Sequence, residues 1–121
     1  MTKRIMTVED STSLREMITF TLGEAGYDVA EAEDGLDALD KLQGFTADLV
    51  ITDLNMPRMN GIELTRELRS SPAYKFVPIV FLTTESQLQK KQAAKEAGAT
   101  AWIVKPFKPE QLLQVVRKVL G

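Results

Sequence analysis

Short apolar runs alternate with amphipathic stretches along the whole chain, and this alternation most limits what it can fold into. Ile5-Met6-Thr7-Val8, Leu49-Val50-Ile51 and Ile79-Val80-Phe81-Leu82 are too short for buried helices and read as buried strands. Val29 to Ala32 carries interspersed polar residues, as suits a strand near an edge, and Trp102-Ile103-Val104 reads as the last strand. Between the first two strands, Leu14, Met17, Ile18, Thr21, Leu22 and Ala25 keep the spacing of one helix face, and Gly26 sits where a left-handed cap stops it. Asp34 caps a second helix carrying Leu36, Leu39 and Leu42, closed at Gly44. Asn60 and Glu63 open a third through about Arg69, followed by a loop from Ser70 to Pro78. A fourth helix ends near Gly98, and Pro109 begins a fifth with Leu112, Leu113, Val116, Val119 and Leu120 on one face. Ser13-Leu14-Arg15-Glu16 and Ser86-Gln87-Leu88-Gln89 have the spacing of capping boxes for the first and fourth helices.

Strands and helices in strict alternation imply an α/β fold, a five-stranded parallel sheet with helices on both faces, in one domain over residues 1–121. In such folds the functional crevice lies at the carboxyl ends of the strands. Glu9 and Asp10 follow the first strand, Asp53 the third, Thr83 the fourth and Lys105 the fifth. With strand order 2-1-3-4-5 the first and third strands are neighbours, and the three acids share one pocket. Each like-charge pair at about 4 Å costs roughly 4 kcal/mol at an effective dielectric near 20. Lys105 offsets part of that cost, and a Mg²⁺ ion, which takes carboxylates, waters and phosphate oxygens, offsets more. Thr83 and Lys105 are suited to the oxygens of an anionic group. An acid after a strand is often only a cap, and a lysine there is often only solvated. Chance must supply four such coincidences at four strand ends.

Composition narrows the chemistry further. The chain has no cysteine and no histidine, which excludes disulfides, Cys/His zinc sites, thiol nucleophiles and Ser-His-Asp triads. A net charge of −2 implies no general affinity for nucleic acid. No apolar run approaches the roughly 18–20 residues of a membrane span. The basic Met1-Thr2-Lys3-Arg4 leads only into Ile5 to Val8 before Glu9, which is no signal peptide, so a cytoplasmic protein is expected.

At these residues the sequence resembles the receiver domain of two-component response regulators, the CheY-like family. The resemblance is carried by Val8-Glu9-Asp10-Ser11, Thr52-Asp53-Leu54-Asn55-Met56-Pro57 with Met59-Asn60-Gly61, Leu82-Thr83-Thr84-Glu85, Ala97-Gly98-Ala99 and Val104-Lys105-Pro106-Phe107. Glu31-Ala32-Glu33-Asp34-Gly35 and Asp53-x-Asn55-Met56-Pro57 are closest to the stand-alone chemotaxis type. The resemblance implies a flavodoxin-like sheet of order 2-1-3-4-5, an order for which CheY is itself a standard example, and no output domain. It implies that Asp53 is the phosphoacceptor, taking a phosphoryl group from a sensor histidine kinase, CheA-like in the chemotaxis case. The family's phosphohistidine sits on the partner, so a chain without histidine is no obstacle. Asp10, Asp53 and the backbone carbonyl of Asn55 match Mg²⁺ ligands, with Glu9 acting directly or through water. Thr83 and Lys105 match the groups that hold phosphoryl oxygens, Asn55 and Glu85 those that tune dephosphorylation. Lys105-Pro106 matches a cis peptide.

Output is implied to be a two-state shift in which Thr83 moves and Trp102 changes its exposure. That remodels the surface of the fourth helix, fifth strand and fifth helix for a protein partner, with the flagellar motor switch as a candidate. The protein is expected to act as a monomer, without contacting nucleic acid or membrane. Three positions depart from the family pattern: Glu9 stands where Asp is commoner, Trp102 where Tyr or Phe is usual, and Thr84 where a small residue is common. Gln87, Gln89, Lys90, Lys91 and Gln92 read as a solvated face of the fourth helix, polar rather than apolar as a docking surface.

Two rival readings use the same residues. A flavodoxin-like binding module would take Thr7 and Ser11-Thr12-Ser13 as a phosphate loop, but Glu9 and Asp10 repel that phosphate. An Asp-nucleophile phosphatase built on Asp53 needs a second acid two residues on, where Asn55 stands.

Overall fold

The computed structural model describes residues 2–121, the side chain of Leu88 excepted, so Met1 of the basic N-terminus lies outside it. Five strands, β1 (Arg4–Val8), β2 (Asp28–Ala32), β3 (Leu49–Asp53), β4 (Ile79–Thr84) and β5 (Ala101–Lys105), form one sheet. All pairs are parallel and the order is β2-β1-β3-β4-β5, as the resemblance implies. The helices are α1 (Thr12–Glu24), α2 (Gly35–Lys41), α3 (Gly61–Arg69), α4 (Lys91–Ala97) and α5 (Pro109–Leu120). None of the described helices is long and apolar enough to cross a membrane.

The period-two alternation of the buried strands divides the core into two layers. Met6, Val8, Val50, Ile79 and Phe81 face Ala38, Leu64, Leu68 and Ala94, on α2, α3 and α4. Ile5, Leu49, Ile51, Val80 and Leu82 face the other way, onto Ile18 and Leu22 of α1 and Leu112 and Val116 of α5. Because both faces are covered, β3 is buried at every residue and its sequence is almost wholly apolar until Asp53. β2 lies at an edge, as its polar residues suggest.

Local signals fare unevenly. At α3 the Asn60 side chain accepts from the Glu63 amide at 2.8 Å and the Glu63 side chain accepts from the Asn60 amide at 3.0 Å, so the two residues expected to open this helix form a reciprocal capping box. Gly26 has φ +96, the left-handed cap that stops α1. The two capping boxes expected at Ser13 and Ser86 do not form. Ser11, not Ser13, caps α1, accepting from the Leu14 amide at 3.4 Å, because the Glu9 carboxylate already holds the Ser11 amide at 2.9 Å and turns the chain earlier. Ser86 does not open α4. Residues Glu85–Lys90 form a 3₁₀ segment in which the Gln87 side chain accepts from the Thr84 amide at 2.8 Å, so α4 begins only at Lys91. The second helix ends at Lys41, short of Gly44, and Leu36 on it is exposed. The expected loop after α3 contains a 3₁₀ turn, Pro72–Tyr74, that buries Tyr74. Its hydroxyl accepts from the Ala47 amide at 3.1 Å.

Two devices fix the crevice. A Cβ at Gly61 would collide with the carbonyl oxygen of Asp53, so only glycine lets α3 start this close to β3. On the other side Asp34, 3% exposed, caps α2 by accepting from the Asp37 amide at 2.9 Å. It also accepts from Arg58 Nε and Nη2 at 2.7 and 2.9 Å. Arg58 reaches it from a left-handed backbone, φ +66. The Arg58 bonds hold the Asp34 carboxyl below the ordinary carboxylate range. Its folded value is depressed, so its contribution is complete above the unfolded value and is lost as pH falls through the folded one. Asp34→Ala is therefore expected to cost about 1 kcal/mol at neutral pH, from the cap alone. The gap to wild type in urea unfolding should shrink below pH 4; a gap that widens there overturns this role.

Candidate functional site

Register brings the sequence-predicted residues together. Val8 pairs with Thr52, so the residues that follow, Glu9 and Asp53, emerge side by side from neighbouring strands. Asp53 pairs with Leu82, and Thr84 pairs with Lys105, which places Lys105 two strands away from Asp53. The lysine side chain spans that gap. Its Nζ lies 3.0 Å from Asp53 Oδ1 and 3.1 Å from Glu9 Oε1. One carboxylate oxygen from each of Glu9, Asp10 and Asp53 lies within 4.8 Å of the others. Glu9 is 1% exposed and Asp53 6%, while Asp10 stands at the open rim.

Each buried acid has some compensation. The second oxygen of Glu9 accepts from the Ser11 amide, and Asp53 Oδ1 also accepts from the Leu54 amide at 2.9 Å. It is not enough. Burial pushes the Asp53 carboxyl above its ordinary value despite the bond and charge of Lys105. Burial raises Glu9 as well, against its bond from Ser11 and with the Asp53 charge adding to the rise. Burial pulls the Lys105 ammonium down, but Asp53 and Glu9 together outweigh it and hold it above its ordinary value. Lys105 pairs with two of the three acids, Glu9 and Asp53, and leaves the pocket short of positive charge. Clustered carboxylates, one of them open to solvent, form the hard oxygen donor set that a divalent cation such as Mg²⁺ takes.

The remaining predicted residues do not join this ion-paired cluster. Thr83 is 6% exposed, and its hydroxyl has no hydrogen-bond partner among the described residues. Asn55 is exposed just past Asp53, its side-chain oxygen 3.5 Å from Lys90 Nζ. Glu85 is exposed in the 3₁₀ segment. Trp102 is half-buried away from the acids, with Lys91 Nζ 3.9 Å above its ring. Trp102 and Thr83 line one small cavity of about 10 Å³ beneath α4. The Lys105-Pro106 peptide is cis. Arg15 is the residue the sequence reading missed. It donates from Nη1 to the Glu9 carbonyl at 2.6 Å, and the only signal was a basic residue one turn into the helix after the acids.

Residues 5–117 match the response regulator receiver domain family. The chain is 42% identical to the chemotaxis protein CheY1 of Helicobacter pylori over 121 residues, covering 98% of this chain and 97% of the relative. It superposes on the chemotaxis response regulator CheY4 of Vibrio cholerae with a TM-score of 0.93 at 46% identity, over 98% of this chain and 99% of that one. The receiver domain of a sensor histidine kinase from Pseudomonas aeruginosa, solved with a magnesium ion coordinated in its active site cleft, gives 0.90 at 27% identity, over 100% and 99%. The chain belongs to the response regulator receiver domain family and is similar along nearly its whole length to chemotaxis members of it.

Proposed function

We propose that Asp53 accepts a phosphoryl group from the phosphohistidine of a sensor histidine kinase, CheA-like in chemotaxis-type signalling. The observation that carries this is the Lys105 ammonium bonded to Asp53 and Glu9 at once, with the Thr83 hydroxyl on the intervening strand left without a partner among the described residues. An Asp53 oxygen attacks phosphorus as the bond to the imidazole breaks, giving an acyl phosphate. Lys105 and Thr83 supply a charge and a hydroxyl to the phosphoryl oxygens. Phosphoryl transfer asks mainly for such positioning and charge neutralisation. Asp10, Asp53 and the Asn55 carbonyl would hold Mg²⁺, with Glu9 acting directly or through water. The ion, when bound, neutralises charge on acids and phosphate together.

The residues act on their own phosphorylation and on a slow dephosphorylation tuned by Asn55 and Glu85, rather than on a stream of substrate. Thr83 and Trp102 form the switch, and α4, β5 and α5 present the surface that a downstream protein reads, the flagellar motor switch in the chemotaxis case. The protein works as a cytoplasmic monomer. The rivals find less support: Asn55 offers no acid to a leaving group, and Glu9 is buried where a flavin phosphate would sit.

Mass spectrometry after incubation with Mg²⁺ and a small acyl phosphate is expected to find one hydroxylamine-labile phosphoryl group, absent from Asp53→Asn. No adduct on wild type, or an undiminished one on the variant, rejects Asp53 as acceptor. Trp102 is the only tryptophan, so intrinsic fluorescence should change on phosphorylation; silence makes it a packing residue. The crowded acids also set a stability order. Without metal, Asp53→Asn removes a charge whose burial is poorly compensated and should raise the thermal midpoint above wild type. Saturating Mg²⁺ stabilises the wild type by linkage and should narrow or reverse that order. A variant that melts lower without metal shows instead that the Lys105 pair outweighs the crowding.

A further inference from the structure

We propose that Arg15 is a positioning residue for the acid pocket, setting the peptide plane between Glu9 and Asp10 so that both carboxylates face one ion. This rests on the reading of the pocket as a Mg²⁺ site. Glu9 lies one residue past the end of β1, where its amide still donates to the Ala32 carbonyl at 3.0 Å. There β2 ends, and the ladder offers no further strand amide to the Glu9 carbonyl. Arg15 takes the ladder's place, donating to that carbonyl from Nη1 at 2.6 Å. Its Nε donates to Glu31 Oε1 at 3.0 Å, with the Arg15 side chain only 17% exposed. The Glu31 carbonyl accepts from Lys41 Nζ at 2.7 Å, and Lys41 also pairs with Asp37 at 3.2 Å. The brace on the acid pocket is thus anchored in β2 and α2.

With the amide on Ala32, the carbonyl on Arg15 and the side chain on Ser11 and Lys105, Glu9 is fixed at every polar atom. The next peptide carries Asp10, so its carboxylate inherits that orientation. A planar guanidinium makes two bonds in two directions; a lysine ammonium at the end of a flexible stem does not reproduce them. Charge alone argues the opposite way: a cation beside the pocket repels Mg²⁺, and removing it should tighten binding. Geometry and charge therefore predict opposite signs.

Calorimetric titration of the full chain with Mg²⁺ separates them. Arg15→Ala is expected to raise the dissociation constant roughly tenfold, the scale on which residues orienting metal ligands act, with a folded circular dichroism spectrum. Arg15→Lys keeps the charge and the helix propensity and is expected to be weakened as well. Unchanged or tighter binding by folded Arg15→Ala overturns the role of Arg15 and leaves the pocket standing. Should the alanine variant not fold, wild-type affinity in Arg15→Lys overturns it equally. A wild-type chain that binds no Mg²⁺ overturns the pocket reading, and this role with it.

Discussion

One lysine holds two buried carboxylates across four neighbouring strands, and the rest of the molecule serves that arrangement. Lys105 reaches Asp53 and Glu9 only because β1, β3, β4 and β5 stand in that order and in that register. Gly61 lets α3 start against Asp53, and Ser11 and Leu54 lend their amides to the acids. None of these makes the pocket comfortable, since Asp53 and Glu9 still ionise less readily than ordinary carboxylates. The two core layers, with Phe81, Ile51 and Leu82 fully buried, can hold such a cluster together. Under the proposed phosphoacceptor role, a site starved of positive charge would take a cation, and with it a phosphoryl group. Stability is spent where the chemistry requires it.

The sheet was legible because its strands are buried on both faces and their sequences carry little else. Strand ends were legible too, since Asp53, Thr83 and Lys105 each break an apolar run. What was not legible is how the helices begin. Ser11 and Ser13 are both competent caps, and the choice between them falls to the Glu9 carboxylate, a contact that depends on the folded pocket. Ser86 and Gln89 have the right spacing for a box, but Gln87 takes the Thr84 amide first and winds the segment as 3₁₀. Arg15 was hidden for the same kind of reason. Its importance lies in a carbonyl that β2 leaves unpaired, and no local pattern reports where a neighbouring strand will end. Arg58 on its left-handed backbone was equally invisible, its partner Asp34 lying 24 residues away.

The way α4 is held sets how a change at Thr83, under the proposed switch role, would reach a distant surface. Its far end is pinned. The Arg69 guanidinium donates from Nε and Nη2 to the Gly98 carbonyl at 3.2 and 2.8 Å. From Nη1 it donates to the carbonyls of Tyr74 and Val77 at 2.8 and 2.6 Å. Its near end is a 3₁₀ segment, whose hydrogen bonds are poorer than those of an α-helix, with no side-chain cap on α4 itself. Among the described residues, exposed or half-exposed side chains make the near end's contacts to its surroundings. Thr84 and Ser86 share a hydroxyl bond at 2.9 Å, Lys90 reaches Asn55, and Lys91 lies over Trp102. An exposed cation–π contact contributes about 0.5–1 kcal/mol. Between these contacts and β4 lies the cavity of about 10 Å³, too small for an indole ring. Trp102 cannot move inward unless the near end of α4 moves with it. Under the proposed switch role, a hydroxyl drawn toward a phosphoryl group would act on the end of the helix that is least held, while the pinned end would keep the displacement a tilt rather than a loss of the helix.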